Sequence, residues 1–394
     1  MSGLGPFGSG DDPFSGLPMF RDLAKMLSGS GPVNWEIARQ VSTWIATDGQ
    51  PESNVDPIAR MHVEELARVA VLHVANVTGL ETSATGGIVT LRPVGRAEWT
   101  QRTLDAYRPL LEQLATSLSA ATGDDDSADA PDPSTDLLGG LTKVMSPVLL
   151  GMQSGFMVGH LSQRAMGQYD LPIPRPPSDE LLVVPATITA FAEDWSLPPD
   201  DVLLWVCLSE VAHHAVLSRS HVRARMEELL GEYVGGFQPD TGALDERLEG
   251  LDPMNPESLQ SVLGDPETLL GAMQSPAQHD VRRQLDALTA AIEGYVDHAL
   301  DTVGERLIGS YRSLTEALRR RRVERNDGDK FVERLFGLEL GQAQYDRGSA
   351  FVDGVVERAG EVGLARLWAS ARELPTPAEI DAPGLWLERI DIPD

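Results

Sequence analysis

Residues 203–217 read Leu-Leu-Trp-Val-Cys-Leu-Ser-Glu-Val-Ala-His-His-Ala-Val-Leu, an apolar stretch holding one acid and two histidines. A helix that is hydrophobic nearly all round belongs in a core. Glu210 cannot sit there uncompensated, because an isolated buried carboxylate costs several kcal/mol. A partner, a proton, a metal-bound water or an open cleft must accompany it. The spacing suggests which. In a His-Glu-x-x-His helix two histidines one turn apart grip a zinc ion, and the glutamate beside the first is the general base. Here Glu210 and His213 stand at the second and fifth positions, and Ser209 stands at the first. The motif is one ligand short.

Such a zinc site needs a further protein ligand. In the glutamate-using version it comes from Glu-x-x-x-Asp on a later helix, where the aspartate steadies a ligand histidine from behind. Glu293-Gly294-Tyr295-Val296-Asp297 has that spacing among alanines and an isoleucine. The candidate set is therefore Glu210 as base, His213 and Glu293 as metal ligands, and Asp297 as support. Substitutes for the missing ligand are poor. Cys207 lies roughly 200° around the helix from Ser209, His214 is one residue off the face, and His298 beside Asp297 reads as a core or surface histidine. Tyr345 suits either an oxyanion contact or a core position with its hydroxyl at the surface. His160 and Gln163 read as packing residues or cleft contacts. A Ser209–His213–Glu210 hydrolase triad is disfavoured: no strand–turn–helix elbow surrounds the serine, and Glu210 adjoins the serine instead of orienting the imidazole.

At these residues the chain resembles a bacterial family of zincin-like hydrolases, often labelled zinc-dependent metalloproteases. The resemblance runs from about Gly31 to near the C-terminus. It rests on Gly31-Pro32-Val33-Asn34-Trp35, Gly155-Phe156-Met157-Val158-Gly159-His160, Gly167-Gln168-Tyr169-Asp170-Leu171-Pro172, Glu210-Val211-Ala212-His213-His214, Glu293 to His298, Gly337-Leu338-Glu339-Leu340 and Trp386-Leu387-Glu388-Arg389. It implies a zincin fold and a metallohydrolase or metallopeptidase ancestry. The family's first ligand is His, so Ser209 is a departure, and zinc binding is expected to be weak or absent. The reading is a zincin-type metallohydrolase impaired at Ser209. The alternatives are a non-catalytic scaffold binding a peptide or protein, and a helical structural protein whose core polar groups satisfy one another.

The elements that must position these residues are mostly helices. Asn34 caps a helix over Trp35–Ala46, Asp56–Val77 ends at Gly79, and Trp99–Leu118, Leu137–Gly167, Val202–Leu217 (capped by Asp200 or Asp201) and His221–Tyr233 follow. Val281–Leu300, Glu305–Arg322, Asp329–Leu340, Gln342–Arg358 and Gly363–Ser370 complete the series. Gly86–Val94 and Leu181–Val184 are the candidate strands. The fold class is mainly α, zincin-like, with a small sheet or hairpin. Gly151, Gly155 and Gly159 share one helix face, which predicts close packing on a neighbour's backbone. The expected organisation is a disordered tail over 1–30, a helical region over 31–120, an acidic linker over 121–136, and the zincin-like region over 137–394 with a loop-rich insertion at 235–275.

Composition limits the alternatives. The 394 residues carry 32 Lys+Arg against 60 Asp+Glu, a formal charge of −28. That argues against nucleic acid and anionic lipid, which need clustered cations. The run Arg319–Arg322 fits cations at a helix C-terminus pairing with local carboxylates. One cysteine excludes an internal disulfide and multi-cysteine metal sites. No signal peptide or membrane span is visible, so a cytoplasmic location is expected.

Overall fold

The computed structural model describes residues 31–121, 133–237, 276–324, 327–339 and 341–392. The tail expected over 1–30, the body of the acidic linker and nearly all of the 235–275 insertion lie outside those residues. The helices in order are α1 (Trp35–Ala46), α2 (Pro57–Thr78), α3 (Arg96–Ala121), α4 (Pro133–Arg164), α5 (Pro185–Asp194), α6 (Pro199–Leu217) and α7 (Ser220–Gly235). They continue as α8 (Pro276–Leu307), α9 (Tyr311–Val323), α10 (Asp327–Phe336), α11 (Gln342–Leu364), α12 (Pro377–Ile380) and α13 (Pro383–Asp391). The fold is mainly α, with two short strands among the described residues, β1 (Thr90–Pro93) and β2 (Glu180–Val183). These pair in parallel, Leu91 opposite Leu181 and Pro93 opposite Val183, so they form a crossover sheet and not a hairpin.

Local chemistry explains most boundaries. The Asn34 side chain accepts a hydrogen bond from the Ile37 amide, and Gly79 closes α2 in the left-handed conformation at φ 64°. The face formed by Gly151, Gly155 and Gly159 rests on α1. A Cβ at Gly151 would stand 2.3 Å from the Asn34 carbonyl oxygen, and one at Gly155 2.7 Å from that of Ala38.

Several elements differ from expectation. Neither Asp200 nor Asp201 caps α6, which begins behind Pro198; Asp201 instead accepts the Ser310 amide at 2.8 Å, and Asp200 faces His62 at 3.1 Å. The break expected near residue 303 lies at Ile308-Gly309-Ser310, because Gly304 lets the Tyr311 ring fold back on α8. Helix α5 was not foreseen: Thr187, Ile188, Phe191 and Ala192 bury one face of a short segment opened by Pro185.

Helix α6 is central, buried from Val206 to Leu217 without interruption. It lies between α2 and α8, with α5 and β2 also against it, and α8 packs in turn on α11. The last crossing is close: Gly294 and Gly348 meet backbone to backbone, and a Cβ on either would fall within 2.3 Å of the other helix. This brings Glu293 to the α6 side of α8. One continuous core joins residues before and after the acidic segment. Among the described residues no single helix is long and apolar enough to cross a membrane.

Candidate functional site

A cavity of about 160 Å³ opens beside α6. Trp205, Val206, Ser209, Glu210 and His213 form one wall, Glu293 and Asp297 of α8 another. Trp99, Tyr107 and Leu161 supply apolar surface, and Arg164, Arg321, Arg322, Asp329, Glu333 and Tyr345 complete the lining. The two stretches singled out by spacing, eighty positions apart, therefore meet in one pocket.

Glu210 is 4% exposed. Its compensation comes from the turn between α4 and β2. The amide of Gln168 donates to Oε2 at 3.0 Å, and that of Tyr169 donates to both oxygens at 3.2 Å. Residues 166–168 are fixed beside β2: the Val184 amide donates to the Met166 carbonyl at 2.8 Å, and the Leu182 amide donates to the Gln168 side chain at 3.1 Å. The Trp99 indole donates to the Gly167 carbonyl at 2.8 Å. Gly167 is required here, because a Cβ would stand 2.1 Å from Oε1 of Glu210. Even so, burial and the nearby Asp170 carboxylate outweigh the amides and His213, and Glu210 is pushed up to about 8. At neutral pH the acid is largely protonated.

His213 uses both ring nitrogens. Nδ1 lies 2.9 Å from the Ser209 carbonyl oxygen, and Nε2 lies 3.4 Å from Oε1 of Glu293. Burial disfavours the imidazolium, but the Glu293 carboxylate, the Ser209 carbonyl and Glu210 more than offset it and raise His213 to about 9. The ring stacks near that of Tyr169, with centroids 6.1 Å apart and planes at 19°. The Ser209 hydroxyl stands 3.4 Å from Nδ1, an atom that already faces a carbonyl, so the two do not form a nucleophile–base pair.

Asp297, expected behind His213, belongs to a different arrangement. Its two oxygens accept from both terminal nitrogens of Arg322 at 2.9 and 3.0 Å, a bidentate pair. Arg322 lies over the Tyr345 ring, 3.6 Å from its centroid. The Tyr345 phenol is close to Glu293, and burial with that carboxylate pushes it far up. Asp297 is thus tied to Arg322, which lies over Tyr345, and Tyr345 lines the cavity.

His214 and His298 are placed elsewhere. His214 turns to the Tyr169 hydroxyl at 3.0 Å and to Ser218, and burial lowers it to about 4. His298 faces Glu361 at 3.1 Å. His160 is exposed, and Gln163 donates to the Ile45 carbonyl at 3.3 Å. Cys207 is fully buried.

The arginine run does more than cap α9. Arg320 pairs with Glu316 at 2.8 Å, but Arg321 and Arg322 turn into the cavity wall. Arg164 pairs with Asp329, while Arg321 bonds the Arg164 carbonyl and lies 3.7 Å from Asp170. These contacts, with the Gln168 and Tyr169 amides, were not assigned from the sequence. The Gly167–Asp170 stretch was noticed there, but nothing in its spacing pointed to Glu210.

The donor set can be weighed against zinc. A tetrahedral site with bonds of 2.0–2.1 Å separates neighbouring donors by about 3.3 Å. The 3.4 Å between His213 Nε2 and Glu293 Oε1 suits two of those positions. The third falls to Ser209, a neutral hydroxyl too short to extend as an imidazole would. Among the described residues no group of three or more His, Cys, Asp or Glu could hold a metal ion. The residues present do not complete a zinc site.

A family model described as zincin-like metallopeptidase matches residues 33–387. Among solved structures, the chain is similar to one from Chloroflexus aurantiacus described as "a putative hydrolase with a novel fold". The TM-score is 0.65 and the identity 24%, over 92% of this chain and all of that one. No curated protein matches the chain.

Proposed function

Since this chain belongs to the zincin-like metallopeptidase family, we propose that it is a zincin-type hydrolase scaffold whose zinc-dependent chemistry is impaired and whose cleft binds a peptide or protein segment. Glu210 occupies the general-base position, and His213 and Glu293 the ligand positions. The observation that carries the reading is that all three line one cavity while Ser209 stands where the family has histidine. Each polar group that would face a metal has a protein partner instead: His213 and Glu293 have each other, and Glu210 has two amides. A pocket satisfied in this way keeps its shape with no ion. The acidic composition and single buried cysteine fit a cytoplasmic protein.

Elemental analysis of the wild type beside Ser209→His tests this. Ser209 borders the cavity, so an imidazole there has room to point at the His213–Glu293 pair. The wild type should carry well under one zinc per chain, and the variant should bind tightly. The gain should exceed the ~10–100-fold that loss of an outer-sphere partner costs. Stoichiometric zinc in the wild type would restore the reading as an active hydrolase. Unchanged affinity in the variant would mean that the pocket has lost more than one ligand.

A further inference from the structure

We propose that the chain's own residues 19–27 cover an apolar groove between α1 and α4. The groove lies on the flank of α4 away from the cavity, so its occupation depends neither on zinc nor on a ligand there.

Helix α3 covers one side of the α1–α4 pair. On α1 it meets Trp35, Arg39 and Thr43: the Trp35 indole donates to Glu112 at 2.9 Å, Arg39 pairs with Asp105 at 2.9 Å, and Gln101 donates to the Thr43 hydroxyl at 2.8 Å. On α4 the buried flank carries Val158 and Leu161, and Leu161 joins Trp99 and Tyr107 of α3 at the cavity. At about 100° per residue, the opposite flanks hold Ile37, Val41 and Trp44 on α1 and Leu149, Met152 and Phe156 on α4. The two helices touch between those flanks, since a Cβ at Gly155 would stand 2.8 Å from that of Val41. Ile37 and Val41 are half-buried, and the other side chains of the set are exposed. Single exposed apolar residues are ordinary, but these adjoin one another along two packed helices, the form of surface that takes an amphipathic helix.

The path of the chain selects the occupant. Residues 1–30 lie outside the described residues and join them at Gly31, one end of the groove, where the Asn34 amide donates to the Pro147 carbonyl at 2.8 Å. Leu149, Met152 and Phe156 continue along α4 from that point. Within 1–30 one stretch has a helical period: Met19, Phe20, Leu23, Met26 and Leu27 recur at i, i+1, i+4, i+7 and i+8, with Arg21, Asp22 and Lys25 between them. In helical form that stretch would span about 13 Å, against about 10 Å from Leu149 to Phe156. Ser28-Gly29-Ser30-Gly31-Pro32-Val33-Asn34 would connect it to α1, a link within the about 2–8 residues that join packed helices. The other segments fit less well. Residues 238–275 leave and return beside α7 and α8, where Gln278 donates to the Tyr233 carbonyl at 2.7 Å, and residues 122–132 are acidic with no apolar period.

The experiment is limited trypsin digestion of the full chain, with cleavage after Lys25 followed by mass spectrometry. An acetylated, amidated peptide of residues 15–30 sets the rate for the free segment. A protease needs local unfolding, so the wild type should be cut after Lys25 about tenfold or more slowly than the peptide. Leu23→Asp in the segment, and Met152→Gln combined with Phe156→Gln in the groove, should each restore cleavage to within about twofold of the peptide rate. Circular dichroism checks that both variants fold. Trp44→Gln, on the other helix of the groove, is the second groove variant and should raise cleavage in the same sense. Wild-type cleavage at the peptide rate, or protection that survives the groove substitutions in folded protein, would overturn the proposal. Protection lost on dilution, together with a dimer by light scattering, would also overturn it and assign the groove to a second copy of the chain.

Discussion

Replacing Glu210 by glutamine should remove one specific component of the pH dependence of stability. Glu210 is 4% exposed and raised from 4.5 to about 8 in the folded chain. A raised carboxyl binds its proton more tightly in the native state. Its contribution is therefore fully present below pH 4.5 and is lost as pH climbs through 8. Between pH 5 and 6.5 the unfolded acid is ionised and the folded one is not. Each pH unit of that one-proton difference costs about 1.36 kcal/mol, so the window carries about 2 kcal/mol. His213 shifts in the same sense, from 6.5 to about 9, and its share enters only near the top of that window, where the unfolded imidazole starts to lose its proton. Glutamine cannot ionise. Its carboxamide also presents donors to the Gln168 and Tyr169 amides, which lowers stability by a constant amount and leaves the slope untouched. Urea unfolding of both proteins at pH 5, 5.75 and 6.5 gives the comparison. The wild type should lose about 2 kcal/mol more than the variant across the series. Parallel slopes would refute the picture of a buried, protonated Glu210, and would also result if a divalent cation beside it held the acid ionised.

Two further substitutions address the scaffold. Gly155→Ala should destabilise the protein by about 1–3 kcal/mol in chemical denaturation, because the new methyl would meet the Ala38 carbonyl at 2.7 Å and the Val41 side chain at 2.8 Å. Asp297→Asn should cost about 3 kcal/mol by the same measurement, since it strips Arg322 of a bidentate partner while both side chains are about three-quarters buried. It should also loosen Tyr345, read as a change in tyrosine hydrogen exchange. A cost near zero would mean that the pair is no more than a surface contact.

Much of the fold was legible because its signals are local. Asn34, Gly79 and the apolar periods of α1, α2 and α6 specify helices through capping and facing rules that need no distant partner. The glycine face of α4 announced a close neighbour, although not that the neighbour would be α1. Helix α5 escaped notice because a ten-residue segment with one buried face gives too few turns for a clear period. The parallel pairing of β1 with β2 joins segments ninety residues apart, and only the crossover between them decides its direction.

The site divides in the same way. Residue identity alone determined that an acid and a histidine lie one turn apart on a helix that must be buried, and that the preceding position is serine. It also required that Glu210 be compensated. Tertiary structure decided the means: two backbone amides held beside β2, a Gly167 without side chain to admit the carboxylate, and Glu293 carried across by the Gly294–Gly348 crossing. It likewise sent Asp297 to Arg322 instead of His213. A helical repeat fixes which residues share a face, because that follows from the backbone's own period. What stands opposite that face depends on how separate helices pack, and no spacing within one helix encodes it.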